Sequence, residues 1–280
     1  MLKFLFVLLL SIAFWFTATP IRSIGLAQPL MGQIPASDAS PFSEQQIQDI
    51  EAWRLAAFSA TNQGDFATAE AYWTKLLELL PGEPALWSNR GNARVSQNKL
   101  AEAIADYNRA IELAPTAPDP YLNRGTALEG LGEWDKAIAD YNRVLELDPT
   151  DAAAYNNRGN AKAGLGDWEQ AIADYQQAAK LAPDFAFARA NYALALYQAG
   201  QADSAIREMR NLVRKYPQFA DMRAALTAAL WAAGNRGEAE SNWVAVMGLD
   251  NRYKDINWVS HIRRWPPAMS SALEKFLKLN

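Results

Sequence analysis

Apolar and small side chains recur along this chain at helical intervals, and prolines interrupt them at regular points. Between residues 118 and 151, Tyr121, Gly125 and Leu128 stand three or four residues apart, which places them on one helical face. Asp119-Pro120 opens that helix, because a first-turn N–H has no intrahelical partner for proline to remove. Gly130 and Gly132 close it, since glycine takes a left-handed terminal conformation at little steric cost. A second amphipathic run starts near Trp134 and continues through Ala137, Ile138, Tyr141 and Leu145 to Leu147, where Pro149 forbids further helix. The small Gly125 and Ala137 let two helix backbones approach, and the large Tyr141 is expected to fill space toward the next helical pair.

This two-helix unit repeats. Pro81, Pro115, Pro149, Pro183 and Pro217 are 34 residues apart. Trp87, Tyr121 and Tyr155 share that spacing, as do Gly91, Gly125 and Gly159. Ala69, Ala103, Ala137, Ala171, Ala205 and Ala239 carry it through six units, and so do Trp73, Tyr107, Tyr141, Tyr175, Met209 and Trp243. The register gives repeats at 50–83, 84–117, 118–151, 152–185, 186–219 and 220–253. The outer repeats are degenerate, as terminal repeats tend to be: Ala57 stands in place of the glycine, Arg189 in place of the first aromatic and Asn251 in place of the proline.

The flanks differ in character. Lys3 precedes a thirteen-residue apolar run, Phe4 to Phe16, followed by a polar stretch and the small-residue site Gly25-Leu26-Ala27. That is the layout of a secretory signal over residues 1–27, and an uncleaved anchor over residues 2–19 is the alternative. Residues 28–49 begin as a Pro/Ser/Gly-containing linker and become a lead-in helix with Ser43 as N-cap. In the tail, 254–280, Pro266-Pro267 breaks the chain ahead of an amphipathic helix carrying Met269, Leu273, Phe276, Leu277 and Leu279. Two roles are open for Trp258, Arg263, Arg264 and Trp265. They form a cap on the apolar end of the last repeat, or a basic aromatic element that docks on an acidic protein or an anionic membrane surface.

Composition narrows the chemistry. The chain has no cysteine and one histidine, His261, which excludes a disulfide framework, a thiolate zinc site and a cysteine nucleophile. Phosphate-binding, dinucleotide and HExxH motifs are missing, so no catalytic residue, metal or cofactor is expected. The net charge is −4; residues 1–27 contribute +2 (Lys3, Arg22), and the segment from Arg252 contributes +4 (six bases, two acids), which leaves −10 on the body between. Phosphate backbones repel such a body, so nucleic acid is not an expected partner. Asp106, Asp140 and Asp174 fall on equivalent faces of successive repeats and so do not converge on one pocket. With Arg90, Arg124 and Arg158 they are expected to form a ladder of ion pairs between neighbouring repeats.

The 34-residue period with small and aromatic residues at fixed offsets resembles the tetratricopeptide repeat (TPR) family over about three quarters of the chain. The resemblance implies an all-α, right-handed superhelical TPR solenoid of six helix-turn-helix repeats with a C-terminal capping helix. It also implies a non-enzymatic scaffold that binds a protein client in a concave groove lined by the first helices. Family groove positions map onto Ser88, Asn89, Asn92, Leu122, Asn123, Thr126, Asn156, Asn157, Asn160 and Asn191. Asparagine there either pairs with a client's backbone or ties one helix to its neighbour. The lysine that chaperone-tail receptors use is replaced by Ser88, Leu122 or Asn156, which speaks against that client. The Asn-Arg-Gly tripeptides at 89–91, 123–125 and 157–159 resemble a cyanobacterial TPR subtype. The tail motif IRRWPP followed by AL-x-x-FL resembles the ends of thylakoid-associated TPR proteins. Those likenesses imply export to a thylakoid lumen or periplasm and a client in a membrane complex.

Overall fold

A computed structural model of the chain describes residues 42–279, all of whose regular elements are helical. The expected signal or anchor at 1–27 and the start of the linker lie outside the described residues. The chain forms two compact units, divided between Pro149 and Thr150.

The first unit contains three helical hairpins. These are α1 (Glu44–Gln63) with α2 (Phe66–Leu79), α3 (Pro84–Ser96) with α4 (Leu100–Leu113), and α5 (Pro118–Gly130) with α6 (Trp134–Leu147). Ser43 caps α1 as expected, in a reciprocal box with Gln46. The lead-in is not a separate helix, however. α1 runs unbroken for 20 residues because nothing between Ser43 and Gly64 interrupts its backbone hydrogen bonds. Each hairpin turns on a left-handed residue at the same repeat position, Gly64, Asn98 or Gly132, with φ of 76°, 61° and 74°.

Two packing details add to the sequence expectation. The Tyr141 ring lies on Gly125 of its own hairpin. A Cβ on Gly125 would sit 2.6 Å from the Tyr141 ring, and one on Gly91 would sit 2.7 Å from the Tyr107 ring. Glycine is needed because a flat aromatic edge occupies the space of its side chain. The aromatic at the start of the repeat closes the connection behind it: Trp87 Nε1 donates to the Pro81 carbonyl at 2.9 Å, and Tyr121 Oη to the Pro115 carbonyl at 3.2 Å. That bond explains why proline and aromatic share one spacing.

The second unit holds α7 (Ala152–Gly164) with α8 (Trp168–Leu181), α9 (Ala186–Gln198) with α10 (Ala202–Lys215), and α11 (Ala220–Ala232) with α12 (Arg236–Leu249). A short 3-10 turn (Asn251–Lys254) and a π turn (Trp258–Ile262) lead to α13 (Pro267–Leu279). Asp151 caps α7 by accepting from the amides of Ala153 and Ala154. Gly159 again lies against a ring, that of Tyr175, whereas Ala193 and Thr227 replace glycine where Met209 and Trp243 replace the tyrosine. α13 buries Met269, Leu273 and Phe276 against α11 and α9, leaves Leu277 half-buried and exposes Leu279.

Candidate partner-binding face

The first helices of the second to fifth repeats carry a polar stripe. In the first unit, Asn123 Nδ2 donates to Asn92 Oδ1 at 3.2 Å, and the buried Tyr107 hydroxyl donates to the same oxygen at 2.7 Å. Tyr141 Oη donates to Glu129 at 2.6 Å. In the second unit, Asn191 Nδ2 reaches Asn156 Oδ1 at 3.0 Å and Asn160 Oδ1 at 3.1 Å, while Tyr175 Oη donates to Asn160 at 2.9 Å. Ser88, Asn89, Leu122, Asn123, Thr126, Asn156 and Asn157 are buried, whereas Asn92, Asn160 and Asn191 are half-buried. These amides therefore tie neighbouring helices together, and within each unit the half-buried ones, with flanking Ala85, Ser96 and Ala153, reach the surface. Burial pushes the Tyr107 and Tyr141 phenols well above their ordinary range, so both stay neutral donors.

The Arg–Asp ladder exists, but each pair joins the two helices of one repeat. Arg90 binds Asp106 at 3.0 and 2.7 Å, Arg124 binds Asp140 at 2.8 and 2.5 Å, and Arg158 binds Asp174 at 2.9 and 2.7 Å. The reason is geometric: the arginine faces its own hairpin partner across the interface, and two-pronged contact with a buried carboxylate fixes it there. Across to the preceding repeat it offers only its remaining nitrogen, as from Arg90 to Thr74 and from Arg124 to Asn108. Each guanidinium also lies over the aromatic three residues earlier, 4.9 Å from Trp87, 5.6 Å from Tyr121 and 5.4 Å from Tyr155. Burial raises the Asp140 carboxyl against the pull of Arg124, whose own hydrogen bonds to Asp140 hold it above its usual value.

The partner of Arg189 escaped the sequence reading. It stands where the aromatic belongs, and Tyr192 stands where the arginine belongs. The exchange preserves the pairing: Arg189 Nε reaches Glu208 at 2.9 Å, and Glu208 lies 34 residues beyond Asp174, one methylene longer. That spacing was the available signal.

Between the first two repeats, Glu70 accepts from Arg94 at 2.9 Å, Gln97 at 2.8 Å and Lys99 at 2.7 Å. Burial works to raise its pKa, but hydrogen bonds from Lys99, Arg94 and Gln97 outweigh that and lower it from 4.5 to about 2. A folded-state pKa below the unfolded one stabilises fully above the unfolded value, and the contribution is lost as pH falls toward the folded value. The melting temperature should therefore fall between about pH 5 and 2 more steeply for the native chain than for Glu70→Gln. Circular dichroism melts across that range check it, and parallel curves for the two proteins would refute the assignment.

In the tail, Asp221 gathers three donors at one buried oxygen: Tyr253 Oη at 2.7 Å, Arg263 Nε at 3.0 Å and Trp265 Nε1 at 3.0 Å. Burial opposes the Arg263 charge, but Asp221 holds its pKa above the ordinary value. Trp258 is half-buried, stacked edge-on to Tyr253 and beneath Arg252, while Arg264 is exposed at φ 52°. Trp265 and Arg263 are thus tied to Asp221 of the last repeat, and Arg264 alone of the four is exposed.

No group of three or more His, Asp or Glu side chains among the described residues could hold a metal, and no described helix is long and apolar enough to cross a membrane. An open cleft of about 530 Å³ between α4 and α6 contains the Arg124–Asp140 pair beneath Ile104, Leu128 and Leu131. Its charged groups bind each other, Arg124 with Asp140 and Lys136 with Glu133.

Models of the TPR repeat match residues 91–132 and 130–166, and tetratricopeptide repeat models match 152–185 and 191–218. No curated protein matches the chain. Among solved structures, a tetratricopeptide repeat protein from Parabacteroides merdae ATCC 43184 is 21% identical, with 83% of this chain and 93% of that one covered and a TM-score of 0.63. A chain of the APC/C hetero-tetramer Cut9–Hcn1 is 18% identical over 81% of this chain and 42% of its own, with a TM-score of 0.65. YrrB, described as a TPR protein with an unusual peptide-binding site, is 21% identical over 64% of this chain and 92% of its own, with a TM-score of 0.51. The likenesses establish the fold: an all-α array of TPR hairpins with a terminal capping helix.

Proposed function

We propose that this array of tetratricopeptide repeats is a non-catalytic scaffold that holds a segment of a client protein against the inner face of its first helices. The observation that carries the proposal is the amide stripe recurring at 34-residue intervals along helices whose other faces are committed to packing. Half-exposed amides offer donors and acceptors to an extended backbone without demanding a particular side chain. The peptide site of YrrB, a protein of like fold, supports the choice of a polypeptide over a small molecule.

We extend the proposal to location and client. The basic, apolar and small-residue order of residues 1–27 supports export, and the tail's likeness to thylakoid-associated TPR proteins supports a lumenal or periplasmic assembly factor for a membrane complex, photosynthetic in that setting. N-terminal sequencing of the mature protein tests export: a start at Gln28 is expected, and a retained Met1 favours a membrane-tethered scaffold.

The groove itself is tested by obstruction. Ala85 and Ala153 are half-buried neighbours of the stripe, so Ala85→Arg and Ala153→Arg, made separately, should leave the fold intact. At least one should remove most client recovery in affinity capture from the native host, with a melting temperature within about 2 °C of the parent. Undiminished recovery with both variants would end the groove proposal.

A further inference from the structure

The inner positions change character along the second unit. Where Asn92, Thr126 and Asn160 stand in earlier repeats, the fifth and sixth repeats have Leu194 and Ala228, and Val95, Glu129 and Ala163 give way to Tyr197 and Trp231. This apolar stretch is covered by α13. Phe276 meets Trp231 edge-on at 5.2 Å and Trp243 at 5.1 Å, and Leu194, Ala228, Met269, Ala272, Leu273 and Phe276 belong to one buried cluster. α13 therefore lies across first helices of two repeats, on the side where earlier repeats keep amides, and does more than cover the last hairpin.

Its attachment has two unequal parts. The segment through Trp265 is fixed by the three bonds to Asp221. Beyond it the backbone turns at Arg264, with φ 52°, and passes through Pro266-Pro267. α13 is tied to the body by a hydrogen bond from the Ala268 amide to Gln198 Oε1 at 2.8 Å, and its ion pair between Lys278 and Glu274 is internal. What holds the helix is apolar contact by residues spaced i, i+4 and i+7, a pattern any amphipathic helix of that spacing reproduces.

We propose that the inner face of α9 and α11 is a binding site for an amphipathic helix, with α13 as its resident and displaceable occupant. The partner segment carries large apolar residues at the spacing of Met269, Leu273 and Phe276. This proposal rests on the scaffold function but assigns a second surface, apolar and helix-selective, apart from the amide stripe. Because the resident helix competes, affinity for an incoming helix is reduced by the fraction of time the site stands open.

The test uses the full chain and a fluorescent peptide of residues 265–280. Phe276→Ser weakens the resident helix while leaving α9, α11 and the Asp221 bonds in place. The peptide should bind this variant at least about tenfold more tightly than the parent, because the open fraction rises. Hydrogen exchange of 267–279 should accelerate in the variant while α7 and α8 keep their protection. Gln198→Ala, which removes the hydrogen bond to the Ala268 amide, should shift both readouts in the same direction by a smaller factor, and it answers the case in which Phe276→Ser unfolds the unit. Equal peptide affinity in parent and variants, or no binding where exchange shows α13 released, overturns the proposal. Neither readout involves the client captured at the amide stripe, so either reading can fail alone.

Discussion

Replacing Asp221 with alanine should destabilise the second unit by about 3–5 kcal/mol, because it leaves a buried guanidinium uncompensated. The Arg263 side chain is only 15% exposed, and the Tyr253 hydroxyl and Trp265 indole N–H beside it also lose their acceptor. Orphaned donors carry their own desolvation penalty. For a unit of this size the melting temperature should drop by roughly 10 °C. Most of the loss comes from the stranded charge and less from the attraction itself, so Asp221→Ala should cost much less in an Arg263→Met background. Thermal melts of the two single variants and the double variant measure that coupling. Additive losses would show that Asp221 and Arg263 do not act as a pair.

Tyr141→Ala carries the second large effect, about 3–5 kcal/mol, the range for removing a fully buried aromatic from a packed interior. Tyr141 is 0% exposed and its ring covers Gly125. Chemical denaturation checks this, and an unmoved midpoint would contradict the packing register. Gly125→Ala probes the same contact from the other side. The added methyl group would collide with the ring at 2.6 Å, an overpacking cost of about 1–3 kcal/mol, offset by about 1 kcal/mol of improved helix propensity. Combining Gly125→Ala with Tyr141→Leu should recover part of the loss, since the smaller side chain vacates the space claimed by the methyl.

Much of the local structure was legible because it depends on backbone rules alone. Pro149 and its equivalents end helices, Gly132 turns the hairpin at φ 74°, and Ser43 with Gln46 starts α1. Pairing was harder to read. The arginine-to-aspartate spacing inside a repeat was visible, but spacing cannot state which of two neighbouring helices an arginine faces. That is decided by helix rotation and by the stacking of Arg124 over Tyr121, which aims the guanidinium at Asp140 in its own hairpin. The contact of Tyr141 with Gly125 was hidden for the same reason: a vacancy at Gly125 appears only once the two helices are set face to face.

The candidate groove shows the same division. Its stripe of amides was found by period, yet the burial of Asn123, Asn156 and Asn157 follows from how closely successive first helices approach. The tail divided further still, since Arg263 and Arg264 are adjacent in sequence but one is sequestered by Asp221 and the other is exposed.

By itself the sequence determined the helical hairpin and its period of 34 residues, because these follow from propensity, capping and steric rules that act within a few residues. Tertiary structure alone decided which partner each polar side chain takes, how far the amide stripe is covered, and that α13 lies over α9 and α11. Those outcomes depend on contacts between residues far apart in the chain, as between Asp221 and Trp265, whose energies exist only after the helices have packed.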